Sequence, residues 1–118
     1  EINLTAQHLY FYANGKLLVE SDFVSGNAAK GWSTPAGAYS ITYKQRNATL
    51  KGQGYATPVS YWMPFNGGIG FHDATWRSKF GGTIYQNSGS HGCVNLPPEK
   101  AKLLYDLVYK GIPVICYQ

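Results

Sequence analysis

Reactive side chains crowd into two short stretches of this chain, Ser90-His91-Gly92-Cys93-Val94-Asn95 and, upstream, His72-Asp73. A cysteine close to histidines is a candidate nucleophile. A free thiol has a pKa of about 8.5 and needs a base or a positive neighbour to become a thiolate near neutral pH. If residues 91–95 are extended, His91, Cys93 and Asn95 share one face, because strand side chains alternate with period two. Gly92 then falls on the opposite face, where the missing side chain lets a second backbone or a substrate come close. Two histidines compete for the role of base. His91 lies two residues along the same strand, about 6.5–7 Å away by backbone rise. A residue directly opposite on a neighbouring strand has its Cβ only about 4.5–5.5 Å away. His72, ending a different strand, is therefore expected as the base, and His91 as a residue that shapes the site.

Other readings of the same residues stand beside this one. A lone cysteine is more often a small buried hydrophobe than a nucleophile. Cys116, in Pro-Val-Ile-Cys-Tyr, keeps that reading because its neighbours are apolar. Cys93 departs from it, with Ser, His and Asn around it in a glycine-containing turn. A Cys93–Cys116 disulfide is a second possibility, whose geometry sequence does not test. A zinc site from His72, His91 and Cys93 with Asp73 is a third, though the usual paired spacings are missing. His8, in an alternating stretch, reads as a strand residue only.

The elements that must position these groups are mostly strands. His8 to Ala13 and Lys16 to Val19 flank Asn14-Gly15, a strong hairpin signal because both residues tolerate positive φ. A glycine- and proline-punctuated loop covers residues 25–36. Tyr39 to Tyr43 and Thr57 to Met63 read as strands by aromatic and β-branched alternation, the second closed by Pro64. Asn66-Gly67-Gly68 turns the chain into Ile69 to His72. Residues 73–89 show no clean period, and a structureless stretch of that length in a compact domain is usually functional. One amphipathic helix is expected over about 98–110. Pro97-Pro98-Glu99 opens it, Ala101, Leu104, Tyr105 and Val108 form its stripe, and Gly111 stops it. Pro113 to Tyr117 is a short final strand. The expectation is a single domain over 1–118, mainly β, with this one helix covering a sheet.

Composition bounds the function. The chain has 118 residues, 44% apolar and 14% charged; this supports a core and excludes a disordered chain. No run approaches the roughly 18 apolar residues of a membrane span. Ten Tyr, three Trp and five Phe with 14 Gly favour strands and turns. Ten Lys and Arg against six Asp and Glu give +4, scattered rather than blocked. Nucleic acid is thus a poor partner, and a mild preference for an anionic surface such as a cell wall is what this charge allows. Ser-x-x-Lys, Gly-x-Ser-x-Gly, Gly-x-Gly-x-x-Gly and the Walker pattern are absent. Glu1 rather than Met opens the chain, so a processed product or a segment excised from a longer exported protein is expected.

Ser90-His91-Gly92-Cys93-Val94-Asn95, preceded by His72-Asp73-Ala74-Thr75-Trp76, closely resembles the signature of the L,D-transpeptidase (YkuD-type) catalytic domain. Ser33-Thr34-Pro35-Ala36-Gly37-Ala38-Tyr39 is similar to the family's Thr-Pro-x-Gly-x-Tyr strand opening. The aromatic hairpin with Asn-Gly and the final Gly-x-Pro-Val strand also fit, so the resemblance covers nearly the whole chain. The wording is most similar to enzymes of Gram-positive bacteria.

The resemblance implies a β-sandwich-like fold of mixed sheets and a peptidoglycan cross-linking enzyme without metal or organic cofactor. By carry-over, Cys93 is the nucleophile, His72 the general base, and the backbone carbonyl of Asp73 the group that orients the imidazole. Backbone N–H groups of His91, Gly92 and Cys93 would form the oxyanion hole. Ser90, His91 and Asn95 would support the loop, and Tyr61, Trp62 and Trp76 would line a substrate channel. Implied partners are donor and acceptor stem peptides, with carbapenems as inhibitors and any membrane attachment made through an upstream anchor. Acyl transfer from a tetrapeptide stem with loss of D-alanine would give 3→3 links, and water as acceptor would give L,D-carboxypeptidase activity. The action would be extracytoplasmic. The competing class is a non-catalytic wall-binding module whose aromatics stack on sugars; a zinc hydrolase is the remaining alternative.

Overall fold

The computed structural model describes residues 1–52 and 54–118. Two strands open the chain, β1 (Ile2–Asn3) and β2 (His8–Ala13), followed by β3 (Lys16–Asp22). Asn14 (φ 52°) and Gly15 (φ 76°) make the tight β2–β3 turn with both residues at positive φ, as a hairpin of this twist requires. Next come β4 (Gly37–Ser40), β5 (Gln45–Gly52), β6 (Tyr55–Asn66) and β7 (Ile69–Asp73). The chain closes with α1 (Ile84–Ser88), β8 (Val94–Leu96), α2 (Pro98–Leu107) and β9 (Pro113–Tyr117). One mixed sheet has the order β3-β2-β1-β9-β4 and the other β5-β6-β7-β8. The core between them contains Phe23, Ile41, Met63, Phe71, Val94 and Leu96, and α2 contributes Ala101 and Leu104. The architecture is mainly β, with mixed sheets, as expected.

The differences have local causes. β4 stops at Ser40 instead of running to Tyr43, because the chain there crosses between sheets. The Ile41 amide donates to Ile112 and the Thr42 amide to Pro64 of β6. β5 carries no sequence signal, since its outer half is Gln45-Arg46-Asn47 and only Ala48 is buried along it; an edge strand with one contact face need not alternate. β6 runs through Pro64, where the register with β7 shifts; a bulge tolerates the missing N–H. α2 ends at Leu107 rather than near 110. Val108 is already extended (φ −80°, ψ 159°), and its side chain is nonetheless buried in the core. Gly111 (φ 95°) is therefore not the helix cap; its amide donates to Ile41 in the turn into β9. α1, a second helix, lies inside the stretch without period. Five residues with none buried leave no apolar stripe to read. Ala28 and Ala29 donate to the carbonyls of Tyr85 and Gln86 and tie α1 to the 25–36 loop.

Candidate active site

β7 and β8 run parallel, with Phe71 opposite Val94, His72 opposite Asn95 and Asp73 opposite Leu96. His72 is thus not directly across from the cysteine. Cys93 precedes β8 by one residue, two positions before Asn95, so it is the diagonal neighbour of His72 on the same face. Residues 91–93 form a bend rather than a strand. Gly92 has φ 134°, a conformation other residues rarely adopt. That conformation, rather than a close approach, explains the glycine: the nearest atoms to an added Cβ would be Ile69 side-chain carbons at 3.6 Å.

The turn is held from both sides. The Ser90 hydroxyl donates to the Cys93 carbonyl at 2.5 Å and accepts from the Gly92 amide at 3.1 Å. Thr34 donates to the Gly92 carbonyl at 2.5 Å and accepts from the Gly26 amide at 3.0 Å. Residues 24–26 run alongside, with Val24 bridging to Asn95 and Gly26 to Ser90. Only glycine fits at 26, where an added Cβ would stand 1.7 Å from the Trp32 carbonyl oxygen. Gln7, fully buried, anchors this strip by accepting from the Ser25 amide (3.0 Å) and donating to the Leu4 carbonyl and the Ser25 hydroxyl. Thr34→Val should strand a buried donor and a buried acceptor. We expect a loss of about 2–3 kcal/mol, read as a lower urea midpoint at unchanged m, together with slower thiol acylation.

His72 and Cys93 open into one cleft of about 420 Å³, which Trp62, Trp76, Arg77 and Asn95 also line. The β5–β6 hairpin borders it through Leu50, Lys51 and Tyr55. His72 Nδ1 is 2.7 Å from the Asp73 carbonyl. A carbonyl only accepts, so Nδ1 carries the proton and Nε2 keeps a lone pair for the cleft. Trp62 and Trp76 flank the ring, with centroids at 6.1 and 5.8 Å. Burial lowers the His72 pKa from 6.5, outweighing the Asp73 carbonyl and charge, and the Arg77 charge adds to the lowering. Burial also raises the Cys93 thiol above 9.0, opposed by the Gly70 backbone amide. The resting pair is a neutral thiol, within 3.4 Å of the Gly68 carbonyl, and a neutral imidazole.

The other expected residues distribute as follows. The Asp73 carboxylate is buried and turned away from the thiol, accepting from the Ser60 amide (2.9 and 3.2 Å) and the Tyr61 amide (2.9 Å). It pins β6 to the end of β7. His91 stands in the turn, stacked between Trp32 (4.6 Å) and Tyr55 (4.3 Å). Of the three expected oxyanion amides, that of Gly92 is already engaged by Ser90, which leaves those of His91 and Cys93. Asn95 is almost wholly buried, and its Oδ1 has no partner. Tyr61 is not in the cleft wall. Alternation sends Trp62 toward the cleft and Tyr61 to the other face, against Tyr105 (5.3 Å) and under the Arg46 guanidinium (4.7 Å).

Both cysteines are free, so the disulfide is not formed. Cys116 sits in the core, its pKa pushed up to about 11 by burial. Among the described residues, no three His, Cys, Asp or Glu side chains gather as a metal site. His8 does more than fill a strand: it bridges Asp22 at 2.7 Å and Glu20 at 2.9 Å. Burial works against its protonation, but the two acids outweigh it and raise the pKa above 6.5. Sequence reasoning assigned no role to Gln7, Tyr55 or Arg77, and quoted Thr34 only as part of a motif. Gln7 lies at positive φ (54°), which residue type does not announce, and Arg77 stands with Lys79 in an aperiodic stretch, where nothing sets it apart.

Residues 1–116 match the YkuD family, described as the L,D-transpeptidase catalytic domain. Among solved structures, the chain is 41% identical to the Enterococcus faecium L,D-transpeptidase, determined as a cysteine-to-serine mutant, with a TM-score of 0.93 over 98% of this chain and 48% of that one. The chain thus spans about half the length of that enzyme. Its similarity to the isolated E. faecium catalytic domain acylated by ertapenem is 42% identity, TM-score 0.87, over 99% of this chain and 94% of that one. An L,D-transpeptidase from Mycobacterium smegmatis is 25% identical, TM-score 0.85, over 99% and 57% of the two chains. No curated protein compared with the chain matches it.

Proposed function

The chain belongs to the family of cysteine-dependent L,D-transpeptidase catalytic domains, and on that premise we propose that it transfers peptidoglycan stem peptides through a thioester on Cys93. The observation that carries this reading is the shared cleft of a free thiol and an imidazole whose Nδ1 is anchored on the Asp73 carbonyl. His72 Nε2 takes the Cys93 proton as the sulfur attacks the carbonyl of the third stem residue. The amides of His91 and Cys93 face the developing oxyanion; one such donor is typically worth about 10²–10³ in rate. The proton then passes to the leaving nitrogen, the C–N bond breaks, D-alanine departs and a thioester remains. The side-chain amine of a second stem, or its cross-bridge, attacks the thioester to give a 3→3 link; water gives the carboxypeptidase product. Two half-reactions through one covalent intermediate predict ping-pong kinetics.

The Ser90 hydroxyl holds the turn that carries the thiol, while Trp62 and Trp76 line the cleft beside the imidazole. The substrate lies outside the cytoplasmic membrane, so we propose that the chain acts there. Among the described residues no helix is long and apolar enough to cross a membrane. Carbapenems acylate the same thiol in this reading, which the ertapenem-acylated relative supports. Incubation with disaccharide-tetrapeptide, followed by mass spectrometry, should show equimolar D-alanine and a dimer lacking one terminal alanine. No D-alanine and no acyl-enzyme from an otherwise folded protein would overturn the reading.

A further inference from the structure

Arg77 is the cation in the cleft that the chain leaves least satisfied. It follows β7 by four residues and lines the cleft beside His72 and Trp76. Its Nη1 donates to the Ser88 carbonyl at 2.8 Å, and its Nε is buried without a partner. None of the ion pairs among the described residues includes it. A guanidinium has five N–H donors and stays protonated; held partly out of water with one carbonyl as acceptor, it lacks a counter-charge. Asp73, the acid nearest in sequence, is turned toward the Ser60 and Tyr61 amides instead. Lys51 also borders the cleft, but it is exposed and solvated.

The geometry points to Arg77 as the residue that recognises the free carboxylate of the departing amino acid, and so restricts the donor to a stem ending one residue beyond the attacked carbonyl. This rests on the acyl-transfer reading of Cys93 and His72. In that reaction the C–N bond breaks and His72 returns the thiol proton to the nitrogen. The carboxylate of the leaving residue is two bonds beyond that nitrogen, so it must lie on the His72 side of the cleft. Arg77 is the cation placed there, near enough that its charge opposes protonation of His72. A planar guanidinium suits a carboxylate better than an ammonium does. Ser88, the residue that Arg77 grips, ends α1 just before the Ser90–Cys93 turn. The same side chain therefore links the recognition of the leaving group to the segment that carries the nucleophile.

The test compares a tetrapeptide stem ending in free D-alanine with the same stem ending in D-alaninamide. Binding decides the inference and turnover decides the reaction. With Cys93→Ala, which binds without reacting, the acid should bind about 10–100-fold more tightly than the amide. Adding Arg77→Met should bring that ratio to within about 3-fold, whereas Arg77→Lys should keep part of it. In the reactive protein, kcat/KM for release of the terminal residue should show the same preference, lost in Arg77→Gln. Equal binding of acid and amide by Cys93→Ala, or a ratio unchanged by Arg77→Met, overturns the assignment, whatever the turnover. A binding preference that depends on Arg77, in a protein that releases no D-alanine, upholds the assignment and counts against acyl transfer. Should Arg77→Met fail to fold, Arg77→Gln and Arg77→Lys carry the same comparison.

Discussion

On incubation with a carbapenem the wild-type protein should gain one adduct and Cys93→Ala none, and D-alanine release by Cys93→Ala should be about 10⁴–10⁶-fold slower, the scale on which removing a covalent nucleophile costs an enzyme. Cys93 lines a cleft that also contains an imidazole with a free Nε2. Cys116 serves as the internal control. It is a thiol of the same chemistry, but buried in the core between apolar neighbours with its pKa near 11. Cys116→Ala should therefore keep the adduct and the rate, and lower stability by about 1–2 kcal/mol through the small cavity it leaves. An adduct that persists on Cys93→Ala and disappears on Cys116→Ala would reverse the assignment.

His72→Ala should acylate about 10²–10⁴-fold more slowly, the usual range for a positioned general base, and it should change the shape of the pH profile. The resting pair is neutral on both sides, because burial lowers the imidazole below 6.5 and raises the thiol above 9.0. The imidazole accepts a proton only when neutral. Since its pKa is lowered, the wild-type rate should stay flat through neutral pH and fall only as the pH drops below 6.5. Without His72 the thiol must ionise unaided, so residual acylation should rise with pH toward and beyond 9.0. Stopped-flow acylation from pH 5 to 10 separates the two. A His72→Ala protein with the wild-type profile would place the base elsewhere, and His91→Ala would be the next variant to measure.

Much of this site was legible as residue types. A Cys among Ser, His and Asn beside a glycine, with a second His-Asp pair upstream, pointed to a thiol nucleophile, and the resemblance of these stretches to the L,D-transpeptidase signature implied acyl transfer. The hairpin at Asn14-Gly15, the start of α2 at Pro98 and the span of β9 followed from local preferences that act within a few residues. Local signal faded where long-range packing took over. β4 ends early because the Ile41 amide bonds to Ile112, just ahead of β9, while the Thr42 amide bonds to β6 of the other sheet, and α2 ends early because Val108 reaches the core by leaving the helix. Strand alternation could separate Tyr61 from Trp62, but it could not say which of the two faced the cleft.

The sequence by itself determined the family and named the candidate nucleophile and base, since those depend on which side chains are present and in what order. Only the tertiary structure decided how the chemistry is posed. It set His72 opposite Asn95 and diagonal to Cys93, engaged the Gly92 amide with Ser90, and turned the Asp73 carboxylate onto β6. It also left Arg77 without a counter-ion in the cleft. Apart from the local Ser90–Gly92 bond, these are matters of register and of hydrogen-bond partnership between segments more than ten residues apart. A one-residue shift in pairing reverses every face of a strand, so no local pattern encodes them.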